Sequence, residues 1–359
     1  MLYSIIHDGL LRLGCAAFTA FVVSLVVGAW LIRLFRRRNV IEDTTQPDHA
    51  GLNAIQSQKK NVPTMGGLMM IAGIVAATLL WSDLRSAYVW IGILCMTVLG
   101  LAGFFDDYIK LKHKLLGQQA GGRPARGLSK KQKLVVQFLL GGLVGYLLIL
   151  AAAGHDYGQQ VVFPFVRRPL EFGYYYIFWA GLIMAATSNA VNLTDGLDGM
   201  AGGCTAITAI ALALVVPSAF FHYDLDDRNA LNVLVLLVAV AGAVLGFLWY
   251  NCHPAQIFMG DTGSLALGGL LAYAALATKT DLLLFPFGLM FFIDEFTVAL
   301  QVASFKLTGR RIFPITPIHH YFQVHRKWPE QKIVARAWII GALASALSLM
   351  ALACFWKRI

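Results

Sequence analysis

The sequence is short of charge. Asp, Glu, Lys and Arg make up 13% of its 359 residues, against ~25% in a typical soluble domain. That shortage excludes an ordinary globule with a charged, solvated surface. The five cysteines, Cys15, Cys95, Cys204, Cys252 and Cys354, form no CxxC pair. Thiolate metal and redox motifs are thereby excluded, and the cysteines read as small packing residues. There is no GxxxxGK[ST], so the chain cannot hold a nucleotide as P-loop enzymes do. No DNA- or RNA-binding motif accompanies the net charge of +10, and nucleic acid is not expected as a partner. No linker, low-complexity tract or short-period repeat divides the chain, so one domain over residues 1–359 is expected. The stretch RLGCAA at 12–17 resembles a lipoprotein cleavage box. His7, Asp8 and Arg12 interrupt the apolar run it would need, and the first helix is expected to stay uncleaved.

What is abundant is apolar sequence. Hydrophobic residues reach 58% and the mean hydropathy is +0.66. Apolar runs of about 20 residues, the length a helix needs to cross a bilayer, recur throughout. The expected fold is all-α: a polytopic integral membrane protein of about ten transmembrane helices. The spans predicted are 14–32, 65–82, 86–105, 134–153, 173–191, 199–219, 230–249, 263–279, 282–305 and 336–356. Twenty-one of the 29 Lys and Arg residues fall in the loops after the first, third and ninth spans. The positive-inside rule makes those loops cytoplasmic and both termini periplasmic. Most of the +10 is therefore a topological signal, strengthened by contact with anionic membrane lipids or an anionic substrate. The Gly-rich stretch at about 115–131 reads as a flexible cytoplasmic insertion, with Arg123 and Arg126 placed to touch lipid headgroups.

This topology gathers four polar stretches on the cytoplasmic face: 103–114, 188–202, 249–264 and 313–330. Each has a structural reading. Asp106 and Asp107 end the third span, where the helix dipole disfavours negative charge. Adjacent carboxylates also repel, so a nearby cation or a proton is required, and Lys110 lies one turn on. Asp195 and Asp198 fit a turn before glycine, and Thr194 or Asp195 fits an N-cap of the next span. Asp261 fits a cap of the eighth span, and His319 and His320 fit an ordinary loop. Asp294 and Glu295 fall within the ninth span, where ionised side chains are costly and usually functional, or else mark a break in that helix. One shared site accounts for all of these stretches together. Several carboxylates beside His and Lys suit a hard divalent cation such as Mg²⁺ and phosphate chemistry at the membrane boundary, with one soluble and one lipid-borne substrate.

Five motifs occur in order: PTMGG (63–67), FFDDYIK (104–110), NAVNLTDGLDGMAGG (189–203), FMGDTGSLALGG (258–269) and PIHHYF (317–322). In these the chain resembles the bacterial phospho-N-acetylmuramoyl-pentapeptide transferases of the polyprenyl-phosphate N-acetylhexosamine-1-phosphate transferase superfamily, essentially over its full length. The resemblance implies transfer of phospho-MurNAc-pentapeptide from UDP-MurNAc-pentapeptide to undecaprenyl phosphate. The products are lipid I and UMP, and Mg²⁺ is required. It implies a cytoplasmic-facing cleft in the inner membrane, a role in peptidoglycan synthesis, and a homodimer.

By the same resemblance, Asp261 is the Mg²⁺ ligand. Asp106 and Asp107 lie at the catalytic centre, with Asp106 deprotonating or orienting the lipid phosphate. Lys133 contacts phosphate. Asn192, Asp195 and Asp198 line the cleft, while Lys59, Thr64, Gly196, Asn251 and Phe258 surround the nucleoside, Phe258 being suited to stack on uracil. His319 and His320 serve the phosphate or sugar end. Two departures stand in that loop: Tyr321 replaces a third histidine and Gln323 an acid. The alternatives are a related UDP-GlcNAc transferase, or a cation-coupled transporter with Asp294 and Glu295 as its relay.

Overall fold

The computed structural model describes residues 8–38, 40–41, 59, 62–115, 127–152, 156–166, 168–223 and 227–356. Among these run twelve helices: α1 (Gly9–Arg37), α2 (Gly67–Trp81), α3 (Ala87–Leu115), α4 (Lys130–Ala151), α5 (Tyr175–Thr194), α6 (Met200–Tyr223), α7 (Asp227–Asn251), α8 (Gly260–Ala277), α9 (Leu284–Phe287), α10 (Leu289–Thr308), α11 (Ile318–Val324) and α12 (Glu330–Trp356). Strands β1 (Gln160–Val161) and β2 (Leu170–Glu171) form a two-residue antiparallel pair, with Gln160 opposite Glu171. The class is all-α, as expected. Most of the 115–131 insertion lies outside the described residues, as do Arg123 and Arg126.

The side chains are arranged for lipid. On α1 the buried stripe is Ala16, Ala20, Ser24 and Gly28, at four-residue spacing. Phe18, Val26 and Trp30 point outward, each more than half exposed. Small residues inside let backbones approach, and large apolar residues outside suit hydrocarbon rather than water. The outer face of α12 repeats this with Ile339, Leu343, Leu347 and Met350. The protein is a multi-pass membrane protein.

Every expected span falls on a helix, but by length and composition the number able to cross is smaller. Seven helices qualify among the described residues, or eight if one bent pair counts as a single span. α2 has 15 residues, so it is ~22 Å long against ~30 Å of hydrocarbon. α8 has another neighbour than lipid: all its residues except Asp261 are buried in protein. It is the central helix, packed against α3 and α5. The expected span 282–305 is broken. Residues 281–287 and α10 meet at 89° on either side of Gly288. Backbone groups freed by such a bend need partners inside a membrane. The Phe287 carbonyl has them, accepting from the hydroxyls of Thr208 at 3.0 Å and Ser345 at 3.4 Å.

Close backbone approach sets the polar end of the bundle. A Cβ on Gly103 of α3 would overlap the carbonyl of Asp261 at the start of α8. The segment before α2 joins the same place. Phe258 N–H donates to Pro63 O at 2.8 Å, Gly66 N–H to Phe258 O at 2.8 Å, and Gly67 N–H to Met259 O at 2.9 Å.

Candidate active site

The first turn of α8 has no capping side chain of its own. Asp107, from α3, supplies the cap. Its Oδ1 accepts from Asp261 N–H at 3.1 Å. Its Oδ2 accepts from Thr262 N–H at 3.0 Å and from the Thr262 hydroxyl at 2.7 Å. Helix N-termini leave unpaired donors and carry partial positive charge, so a carboxylate belongs there. The turn into the helix needs φ +70° at Gly260, a left-handed value that glycine adopts freely. A Cβ at Gly260 would also press within 2.6 Å of Asp107 Oδ2. Asp107 thus ties α3 to α8 and frees Asp261 from capping its own helix.

Asp261 turns its carboxylate towards two ammonium groups. Lys133, from the first turn of α4, reaches Oδ2 directly, and Lys110 lies 3.4 Å from it. Asn192 of α5 donates to Oδ1 at 3.0 Å. Both lysines are shared with the fully buried Asp106, at 2.6 Å from Lys110 and 2.8 Å from Lys133. The other oxygen of Asp106 accepts from Leu128 N–H at 2.5 Å. Asp261 sits ahead of the apolar run of its helix. Burial works against its ionisation, but the lysine ammonium groups outweigh it and hold the carboxyl below the ordinary carboxylate range.

A second network lies across the α5–α6 turn. Lys59 bridges Asp198 and Glu330, at 2.6 Å from each. His253 Nδ1 lies 3.0 Å from Asp198 Oδ2, which also accepts from Ala255 N–H at 3.1 Å. Asn251 accepts from Gly199 N–H at 2.9 Å. The half-buried Phe258 ring lies 5.8 Å from the Lys59 ammonium. Thr64 stands beside Gly260, its buried hydroxyl unpartnered among the described residues. On the near side of the turn, the imidazoles of His319 and His320 converge on Gly196. His320 Nδ1 faces Gln323 Oε1 at 3.2 Å, so the glutamine takes up a histidine where the resemblance leads to an acid.

A family model described as glycosyl transferase family 4 matches residues 89–279. The phospho-N-acetylmuramoyl-pentapeptide-transferase of Gemmatimonas aurantiaca is 37% identical over 376 residues, covering 98% of this chain and 96% of that relative. The chain belongs to the phospho-N-acetylmuramoyl-pentapeptide transferase family. It is a transferase, which removes the transporter alternative. Asp294 and Glu295 are accounted for within this transferase: they pair with His319 and Asn189, at 2.9 and 3.0 Å.

Other expectations are corrected by the helix boundaries. α3 runs to Leu115, so Asp106 and Asp107 lie about two turns before its end rather than at it. Their repulsion is relieved by two lysines and a neighbouring helix terminus. Thr194 is the last residue of α5 and Asp195 its C-cap, so neither N-caps α6. Asp294 marks no break, because α10 is continuous through it. Sequence reasoning missed His253, Glu330, Asn189 and Ser264, whose hydroxyl accepts from Asn192 at 2.8 Å, as members of the site. Only Glu330 carried a local signal, as the acid opening α12 after a proline.

The donor chemistry here fits a hard divalent cation. Asp106, Asp107 and Asp261 each offer an oxygen, all within 4.8 Å of one another. Asp198, His253 and Glu330 form a second such group. There Lys59, His253 and backbone N–H groups take up both Asp198 oxygens and one oxygen of Glu330, as the two lysines, Asn192, Thr262 and backbone N–H groups take up those of the first group.

Asp107→Asn replaces an acceptor-only group facing three donors with an amide that must turn one NH₂ towards them. The expected cost is ~1–3 kcal/mol, read as a lower melting temperature in detergent. An unchanged melting temperature would show that the cap does not hold α3 to α8.

Proposed function

We propose that the protein transfers phospho-MurNAc-pentapeptide from UDP-MurNAc-pentapeptide to undecaprenyl phosphate, giving lipid I and UMP. The observation that carries this reading is the sharing of Lys110 and Lys133 between Asp106 and Asp261 at the head of the central helix. Phosphoryl transfer is catalysed mainly by positioning and by positive charge around the transferring group. A membrane protein that concentrates two ammonium groups and three carboxylates at one end of its bundle is equipped for that. The printed name of its Gemmatimonas relative supplies the donor's sugar peptide. In this reading the site faces the cytoplasm from the bacterial inner membrane, both termini are periplasmic, and the protein works among membrane lipids as a homodimer.

Mg²⁺, when bound, neutralises charge on the diphosphate. Asp261 would hold it, with Asn192 fixing the carboxylate through Oδ1. Lys133 and Lys110 face the phosphates. Asp106 has both oxygens engaged, which favours an orienting role over proton removal. The three donors on Asp107 likewise favour direct attack by the lipid phosphate over a covalent carboxylate intermediate. Asp195 and Asp198 line the cleft, Lys59, Thr64, Gly196, Asn251 and Phe258 surround the nucleoside, and His319 and His320 serve the phosphate or sugar end.

Reconstituted with undecaprenyl phosphate and Mg²⁺, the protein is expected to release UMP from UDP-MurNAc-pentapeptide and not from UDP-GlcNAc. Asp261→Asn is expected to lower that rate by several powers of ten. The opposite donor preference would assign it to the sister GlcNAc-1-phosphate transferases, and near-normal turnover of the variant would remove Asp261 from the metal site. Phe258→Ala is expected to weaken donor binding by ~1–3 kcal/mol if the ring stacks on the base. Unchanged affinity by calorimetry would exclude stacking.

A further inference from the structure

Asp294 is fully buried in the second turn of α10. A carboxylate in that position is retained only when something compensates its desolvation. Its Oδ2 lies 2.9 Å from His319 Nδ1, and His319 is as deeply buried. A carboxylate accepts hydrogen bonds, so the imidazole donates through Nδ1. That contact fixes the ring and leaves Nε2 as its second functional atom, an arrangement used wherever an acid orients a working histidine.

Among the described residues Nε2 then has no partner, and neither does Asp294 Oδ1. Two unsatisfied polar atoms in one buried pair are a cost that a structural contact has no reason to carry. Nε2 points at the α5–α6 turn, where a Cβ on Gly196 would lie 2.6 Å from it. The neighbouring His320 is oriented by the neutral amide of Gln323 instead. The two imidazoles at the same glycine thus have different Nδ1 partners.

We propose that Asp294 is a positioning residue for the transfer: it holds His319 with the proton on Nδ1 and presents Nε2 to the phosphate-bearing end of the donor at Gly196. The inference rests on the reading of the loop histidines given above. Asp294 itself touches no substrate. It acts through His319.

A double-mutant cycle on the full-length protein tests this, with transfer rate, donor affinity and melting temperature measured for each variant. Asp294→Asn is expected to lower the turnover number by ten-fold or more, with donor affinity within about three-fold of the wild type. Asp294→Glu, which restores the charge, is expected to recover most of the loss. In a His319→Gln background, Asp294→Asn should cost nothing further, because the residue it serves is gone. Losses that multiply would overturn the proposal, as would failure of Asp294→Glu to recover turnover.

Should Asp294→Asn fail to fold, ¹⁵N-histidine NMR of the wild-type protein decides. The proposal requires His319 to carry its proton on Nδ1, and a spectrum with the proton on Nε2 alone would overturn it. Full transfer by His319→Gln would instead remove the histidine's own role, whatever the tautomer found.

Discussion

The arrangement depends on one hydrogen-bonded contact, the carboxylate of Asp107 against the first turn of α8. Most helices that begin with an acid use that acid on their own exposed N–H groups. Here the acid comes from a neighbouring helix, and both of its oxygens are used. Two consequences follow. α3 and α8 are locked together where Gly103 lets their backbones touch. Asp261, next in the chain, is left to face away from its helix. It is also the one residue of α8 that is not buried.

Charge around that residue is balanced locally. Asp106 and Asp261 share two lysines delivered by different helices, one from the turn after Asp106 and one from the start of α4. Like-charge repulsion between carboxylates is thereby converted into a means of placing ammonium groups. The Lys59, Asp198 and Glu330 network uses the same device across the α5–α6 turn. Asp261, Lys133 and Glu330 stand in the first turns of their helices and Asp106 and Lys110 within α3, so the packing of the bundle holds both networks in place.

Much of this was legible in the sequence. Charge scarcity and recurrent apolar runs gave the membrane class, and the placement of Lys and Arg put four distant stretches on one face. Contacts among them bear out that convergence: Asp107 meets Thr262, Asn192 meets Asp261, Gly196 meets His319, and Glu330 meets Asp198. The number of spans was less legible, because hydropathy does not distinguish a helix facing lipid from one enclosed by protein, as α8 is. Nor did any local pattern reveal that Asp107 would cap another helix or that Asp294 would reach His319 25 residues away. The first pairing follows from the close approach of α3 to α8 at Gly103, the second from the packing of α11 against α10.

The central claim is that the acids at the head of α8, and not the second acidic group around Asp198, gather the divalent cation. Mn²⁺, used as a paramagnetic substitute and titrated by EPR into the purified protein, tests this most directly. The account predicts a bound-ion signal that disappears in Asp261→Asn and persists in Glu330→Gln. A signal that survives Asp261→Asn, or is lost in Glu330→Gln while that variant still folds, would contradict it.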